Sequence, residues 1–120
     1  MKKDKNLIHI IHEEDNKMIV VTTETIPGRN FEVIGTVKGS TIQTVNAFKD
    51  IGSSLKTIVG GELVNYTKMM EKARDLATSR MVEEAQRYGA DAIVCVRYSS
   101  SSIMQSAAEV MAYGTAVKLL

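Results

Sequence analysis

Apolar positions along the chain recur with two periods, and the places where the period changes mark the elements. "MIVVTT", residues 18–23, is rich in β-branched residues and predicts a buried strand. "FEVIGTVKGS" then alternates, with Phe31, Val33, Gly35 and Val37 on one side and Glu32, Ile34, Thr36 and Lys38 on the other. Between them "IPGRN" places Pro27-Gly28 where a type II turn favours that pair. Residues 18–38 therefore read as a hairpin. From Ile42 the period lengthens. Ile42, Val45, Phe48, Ile51, Leu55, Ile58 and Val59 recur every three or four residues, which predicts an amphipathic helix ending at Gly60. Leu63, Tyr66, Met70, Ala73, Ala77, Met81, Ala85 and Tyr88 continue that spacing into a second helix. Gly89 stands where a helix takes its left-handed cap.

"DAIVCVRYS" is nearly continuous apolar sequence, the character of a central strand covered on both faces. "SSSSIMQS" reads as a polar turn and "AAEVMAYGTAVKLL" as a last long strand. The expected order is β-β-α-α-β-β: an α+β fold with a mainly antiparallel sheet and two helices. Residues 1–17 carry four lysines and four acids around "LIHIIH", an arm or added strand before a single domain at 18–120. A sheet of this size with only two helices leaves apolar strand surface uncovered. The economical cover is another copy of the chain, so a homo-oligomer is expected.

Composition narrows the function classes. At 120 residues the chain has room for one domain. A net charge of +1 gives no bias toward nucleic acid or membrane surfaces. One cysteine fits a reducing compartment. No run approaches the roughly 20 apolar residues of a membrane span, and "LIHIIH" is too short and polar for a secretory signal. A cytoplasmic location is expected.

Five features could carry chemistry. Gly60-Gly61 could cradle a phosphate, but helix rather than strand precedes the pair. Glu62 in the first turn would also repel an anion, so the pair reads as a junction between helices. Cys95 lies between Val94 and Val96, with Arg97 on its face as a possible activator. A small buried hydrophobe is the plainer reading. His9 and His12 point to opposite faces of a strand, and the ligand set of a zinc site is not evident. If the serine turn is centred near Ile103, Arg97 falls opposite Glu109 and Cys95 opposite Met111, which makes a structural ion pair. Ser99–Ser102 have no histidine near them and no nucleophile elbow. No catalytic residue, cofactor or assembled metal site is expected, and Cys95 is the one weak metal candidate.

"TTETIPG", "IVGGELVNY", "ARDLATSRMVEEAQRYGADAIVCVRY" and "YGTAV" together resemble the YbjQ-like family of small bacterial and archaeal proteins, over residues 18–118. The resemblance implies an α/β subunit in a ring-like homo-oligomer, with pentamers expected, and carries the label of heavy-metal binding. This chain lacks a "CxxC" pair, which such a role would need. Gly28, Gly60, Gly61, Gly89 and Gly114 match the family pattern as shape-setting positions. Glu62, Tyr66 and Arg80 are implied as polar groups near a groove between subunits. The expected function is a non-catalytic homo-oligomer that binds a small ligand or metal ion between copies. The alternative is a structural or protein-interaction ring with no small-molecule ligand.

Overall fold

The computed structural model describes residues 9–13, 16–44, 59–104 and 107–120. Within them run β1 (His9–Glu13), β2 (Asn16–Val20), β3 (Phe31–Thr44), α1 (Val59–Arg87), β4 (Ala92–Met104) and β5 (Ala107–Leu119). The strands form one five-stranded sheet in the order β1-β2-β4-β5-β3. All pairings are antiparallel except β2 with β4, which is parallel at Ile19↔Ala92 and Val20↔Ile93. One helix lies among the described residues and the sheet is mixed, so the expected β-β-α-α-β-β fold, with two helices on a mainly antiparallel sheet, is corrected. The closed ring expected with it finds no support in this fold.

The corrections are local. Residues 42–44, read as the start of a first helix, end β3, and most of that expected helix lies outside the described residues. Gly60 and Gly61, read as the junction between two helices, both fall inside the first turn of α1. The hairpin of residues 18–38 does not form. β2 pairs with β1 and β4, while β3 pairs with β5. A strand does form in the N-terminal segment, His9–Glu13 folding back on β2 with Glu13 opposite Asn16.

α1 buries Met69, Ala73, Ala77, Met81 and Ala85, with Val82 beside them. That three-to-four spacing keeps one stripe on the sheet. Small residues dominate the stripe, so the helix axis comes close. At the contact β3 carries Gly39. A Cβ there would sit 2.7 Å from the Arg80 carbonyl carbon and closer still to Met81 N and Ala77 O. At the other end of α1 the chain stops in a Schellman turn. Gly89 takes φ +75°, its N–H donates to the Gln86 carbonyl at 3.0 Å, and the Ala90 N–H donates to the Ala85 carbonyl at 3.0 Å.

Two irregularities decide which side chains face α1. Between Val33 and Gly35 the register of β3 slips by one residue against β5. Phe31 and Val33 therefore face away from the helix, while Val37, Gly39 and Thr41 face it. The single alternating face expected across Phe31, Val33, Gly35 and Val37 is broken at that bulge. The second irregularity, in β4, shapes the far side of the sheet.

Candidate functional site

β4 bulges at Cys95. Val94 lies opposite Thr115 and Arg97 opposite Tyr113, so Cys95 and Val96 share the single position Gly114. Cys95 takes φ +57°, a left-handed conformation that a side chain adopts at some cost. Gly114 accommodates the doubled strand because a Cβ on it would meet Ile93 Cγ2 at 2.8 Å and the Val94 carbonyl oxygen at 3.0 Å. The bulge aims extra N–H groups at the segment after β2. Val96 N–H donates to the Val21 carbonyl and Cys95 N–H to the Thr23 carbonyl, both at 3.0 Å. Arg97 Nη1 then donates to the Thr22 carbonyl at 3.0 Å and the Val96 carbonyl at 2.9 Å. Arg97 thus clamps the loop to the sheet.

The clamped loop covers one end of the far face. Ile26 is buried there with Ala92, Val94 and Val117, and Ile19, Val21, Phe31, Cys95 and Leu119 pack around them. Cys95 is half-buried in that apolar cluster. Beyond Ile26 the chain reverses at Pro27-Gly28, as the sequence expected. Gly28 takes φ +72° and the Arg29 N–H donates to the Ile26 carbonyl at 3.1 Å. The Leu120 N–H donates to the Asn30 carbonyl at 3.0 Å, tying the turn to the end of β5.

This turn displays Arg29 on the rim of a recess of about 420 Å³, lined also by Lys17, Ile19, Asp91, Leu119 and Leu120. Asp91 is already engaged. Its Oδ2 accepts the Leu119 N–H at 2.9 Å and lies 3.5 Å from Lys118 Nζ. Lys17 and Arg29 are exposed over an apolar floor. The recess offers positive charge and apolar contact, which suits binding. Among the described residues, its lining pairs no nucleophile with a base.

The structure separates the side chains expected to work together. Arg97 faces Tyr113 and Glu109 faces Ser101, four residues from the register that would pair Arg97 with Glu109, and Cys95 lies in the bulge rather than opposite Met111. The reason is the turn. Ser99–Met104 belong to β4, so the chain reverses later than Ile103. Glu62, Tyr66 and Arg80 all lie on α1, and at 1.5 Å per residue Glu62 and Arg80 stand roughly 27 Å apart. One chain does not gather them. Arg80 Nη1 donates to the Ser40 carbonyl at 2.7 Å, while Tyr66 is exposed on α1. The described residues hold no group of three or more His, Cys, Asp or Glu placed to share a metal. None of their helices is long and apolar enough to cross a membrane. Sequence reading passed over Lys17, Arg29 and Asp91. The "IPGRN" turn was the available signal for Arg29, but nothing local marks the strand ends that meet it.

A small domain whose described residues form a long helix on a mixed sheet, with a bulged β4 and a recess rimmed by Lys17 and Arg29, is the class defined by this geometry. The chain belongs to the YbjQ family, whose description is "Putative heavy-metal-binding" and whose model matches residues 18–120. It is 59% identical to a UPF0145 protein of Clostridium novyi, over 86% of this chain and 100% of that one. A UPF0145 protein of Methanosarcina acetivorans is 52% identical, over 86% of this chain and 98% of that one. The fold is similar to a crystal structure from Pediococcus pentosaceus, described as a protein of unknown function in the DUF74 family. The TM-score is 0.65 at 13% identity, over 86% of this chain and 98% of that one.

Proposed function

We propose that the protein is a non-catalytic homo-oligomer that holds a small ligand or ion between copies of the chain. The observation that carries this reading is the far face of the β4-β5-β3 ribbon. The loop of residues 21–30 covers only the end near Val94, Val117 and Phe31. Past the bulge, the face opposite α1 is open to water, with Ile42 59% and Tyr113 38% exposed and Met111 half-buried between polar neighbours. Apolar side chains left in water on one strand face support an interaction face there.

The ligand class follows from which charged groups have no ion-pair partner among the described residues. Lys17 and Arg29 on the recess rim suit a small anion such as a carboxylate or phosphate ester. The family description points to a soft metal instead. Cys95 alone supplies thiolate, so a metal site built on it needs donors from more than one copy. In this reading Tyr66, exposed with Val64 on α1, lies at the boundary between copies, and Arg80 holds the sheet edge.

Native mass spectrometry of untagged protein with elemental analysis tests the reading directly. The expected result is a multiple of the 13.2 kDa chain with a reproducible bound mass. A single-chain particle at tens of micromolar overturns the assembly, and an assembly with no added mass leaves only an interaction role. Cys95→Ala is expected to keep the assembly; loss of both the assembly and a bound metal would give the thiol a ligating role.

A further inference from the structure

We infer that the recess beside the Pro27-Gly28 turn takes the carboxylate of a medium-length aliphatic acid. This rests on the anion reading of the recess given above and names its ligand class. The recess measures about 420 Å³ and is walled by three separate segments: β2 with Lys17 and Ile19, the turn with Arg29, and the strand ends with Asp91, Leu119 and Leu120. That volume lies in the range of sites for small organic molecules.

The walls are tied to one another through the backbone. The Leu119 N–H donates to Asp91 Oδ2 at 2.9 Å, and the Leu120 N–H donates to the Asn30 carbonyl at 3.0 Å. The Ile19 N–H donates to the Asp91 carbonyl at 3.4 Å, the Asp91 N–H to the Val117 carbonyl at 2.9 Å and the Arg29 N–H to the Ile26 carbonyl at 3.1 Å. The recess therefore stands in place without a ligand, which lowers the cost of binding one.

The same bonds select the head group. A phosphate site is built from rows of unengaged backbone N–H groups, and here the N–H groups of Ile19, Arg29, Asp91, Leu119 and Leu120 all donate within the chain. What is left is side-chain charge. The planar guanidinium of Arg29 matches the two oxygens of a carboxylate, and Lys17 adds a second cation on the rim. A metal ion is disfavoured by the same pair, because the carboxylate in the lining, Asp91, is already held by the Leu119 N–H and by Lys118.

The floor selects the tail. Ile19 and Leu119 pack against the buried cluster of Ile26, Ala92, Val94 and Val117, so an alkyl chain lying on them extends an apolar cluster that already exists. Leu120 is 73% exposed although its backbone is tied to the turn, and an alkyl tail would cover it. Each methylene taken out of water strengthens binding by roughly fourfold. A polar anion makes no use of these three side chains.

Calorimetric titration of the full chain with octanoate, read alongside its amide resonances, tests the assignment. Octanoate is expected to bind at least tenfold more tightly than acetate and to shift the amides of Ile19, Arg29, Leu119 and Leu120. Arg29→Gln changes an exposed side chain, so it is expected to keep the melting temperature while weakening octanoate at least tenfold. Leu120→Ser is expected to narrow the gap between octanoate and acetate. If either variant fails to fold, the resonances of the native chain decide. Octanoate that binds no more tightly than acetate overturns the tail contact. Equal binding of octylamine overturns the carboxylate, since it shows apolar adhesion without the two cations. Tighter binding of octyl phosphate overturns the head group and leaves the recess an anion site. Sedimentation separates the ligand from the assembly. A chain that assembles while its recess amides ignore octanoate loses this ligand and keeps the oligomer; a single-chain particle that binds octanoate at those amides keeps the ligand and loses the oligomer.

Discussion

A methyl group added at Gly39 would run into the backbone of α1 at Ala77, Arg80 and Met81, and neither helix nor strand can yield without giving up the packing between them. Gly28 is different. A Cβ there meets nothing within 4 Å, but φ is +72°, where an alanine is strained whatever the space. Gly39→Ala is therefore expected to lose about 3 kcal/mol of stability through overpacking. Gly28→Ala should lose about 1 kcal/mol through backbone strain. Urea unfolding of both variants checks the order; equal losses would mean that the helix does not sit against Gly39. Sequence alone marked Gly28 through its neighbour Pro27, and Gly89 through the end of the helical spacing. It could not mark Cys95 as left-handed. Nothing in a β-branched, apolar run announces a bulge, and the compensating glycine, Gly114, lies on another strand.

α1 does two jobs at once, supplying an apolar stripe to the sheet and two charged side chains to its edge. The stripe was legible because Ala73, Ala77, Met81 and Ala85 keep helical spacing whatever they pack against. The edge contacts were not, since Arg80 with Ser40 and Glu84 with Lys38 join residues 40 and 46 positions apart. Long-range pairing also hid the parallel contact of β2 with β4 and the late turn of the β4–β5 hairpin. Serine has little preference for strands, so "SSSS" resembles a turn until β5 is available to pair with it. Removing both edge groups tests their role. Glu84→Ala with Arg80→Ala is expected to lose about 1 kcal/mol for each bond, to speed amide exchange at Lys38, and to promote aggregation through the opened β3 edge. Unchanged exchange at Lys38 would show that the helix does not protect it.

For the whole molecule, the question is what covers the half of the sheet beyond the Cys95 bulge. α1 shelters one face and the Ile26 loop shelters the near end of the other. Ile42 stays largely in water on a strand whose opposite face is packed, so in a single chain its side chain contributes little to stability. In an assembly it would contribute the burial of an aliphatic side chain, about 1.5–3 kcal/mol. Ile42→Lys separates these states. The variant is expected to keep the melting temperature of the single chain at low concentration, because surface substitutions of this kind stay within roughly 0.5 kcal/mol. Its self-association should weaken by about ten- to a hundredfold, which is that burial energy expressed as a dissociation constant. Sedimentation across a concentration series measures the second quantity and thermal unfolding the first. If association is unchanged, the far face is not the boundary between copies. If stability falls instead, Ile42 already packs within one chain, and the surface that motivates the assembly is smaller than its exposure implies.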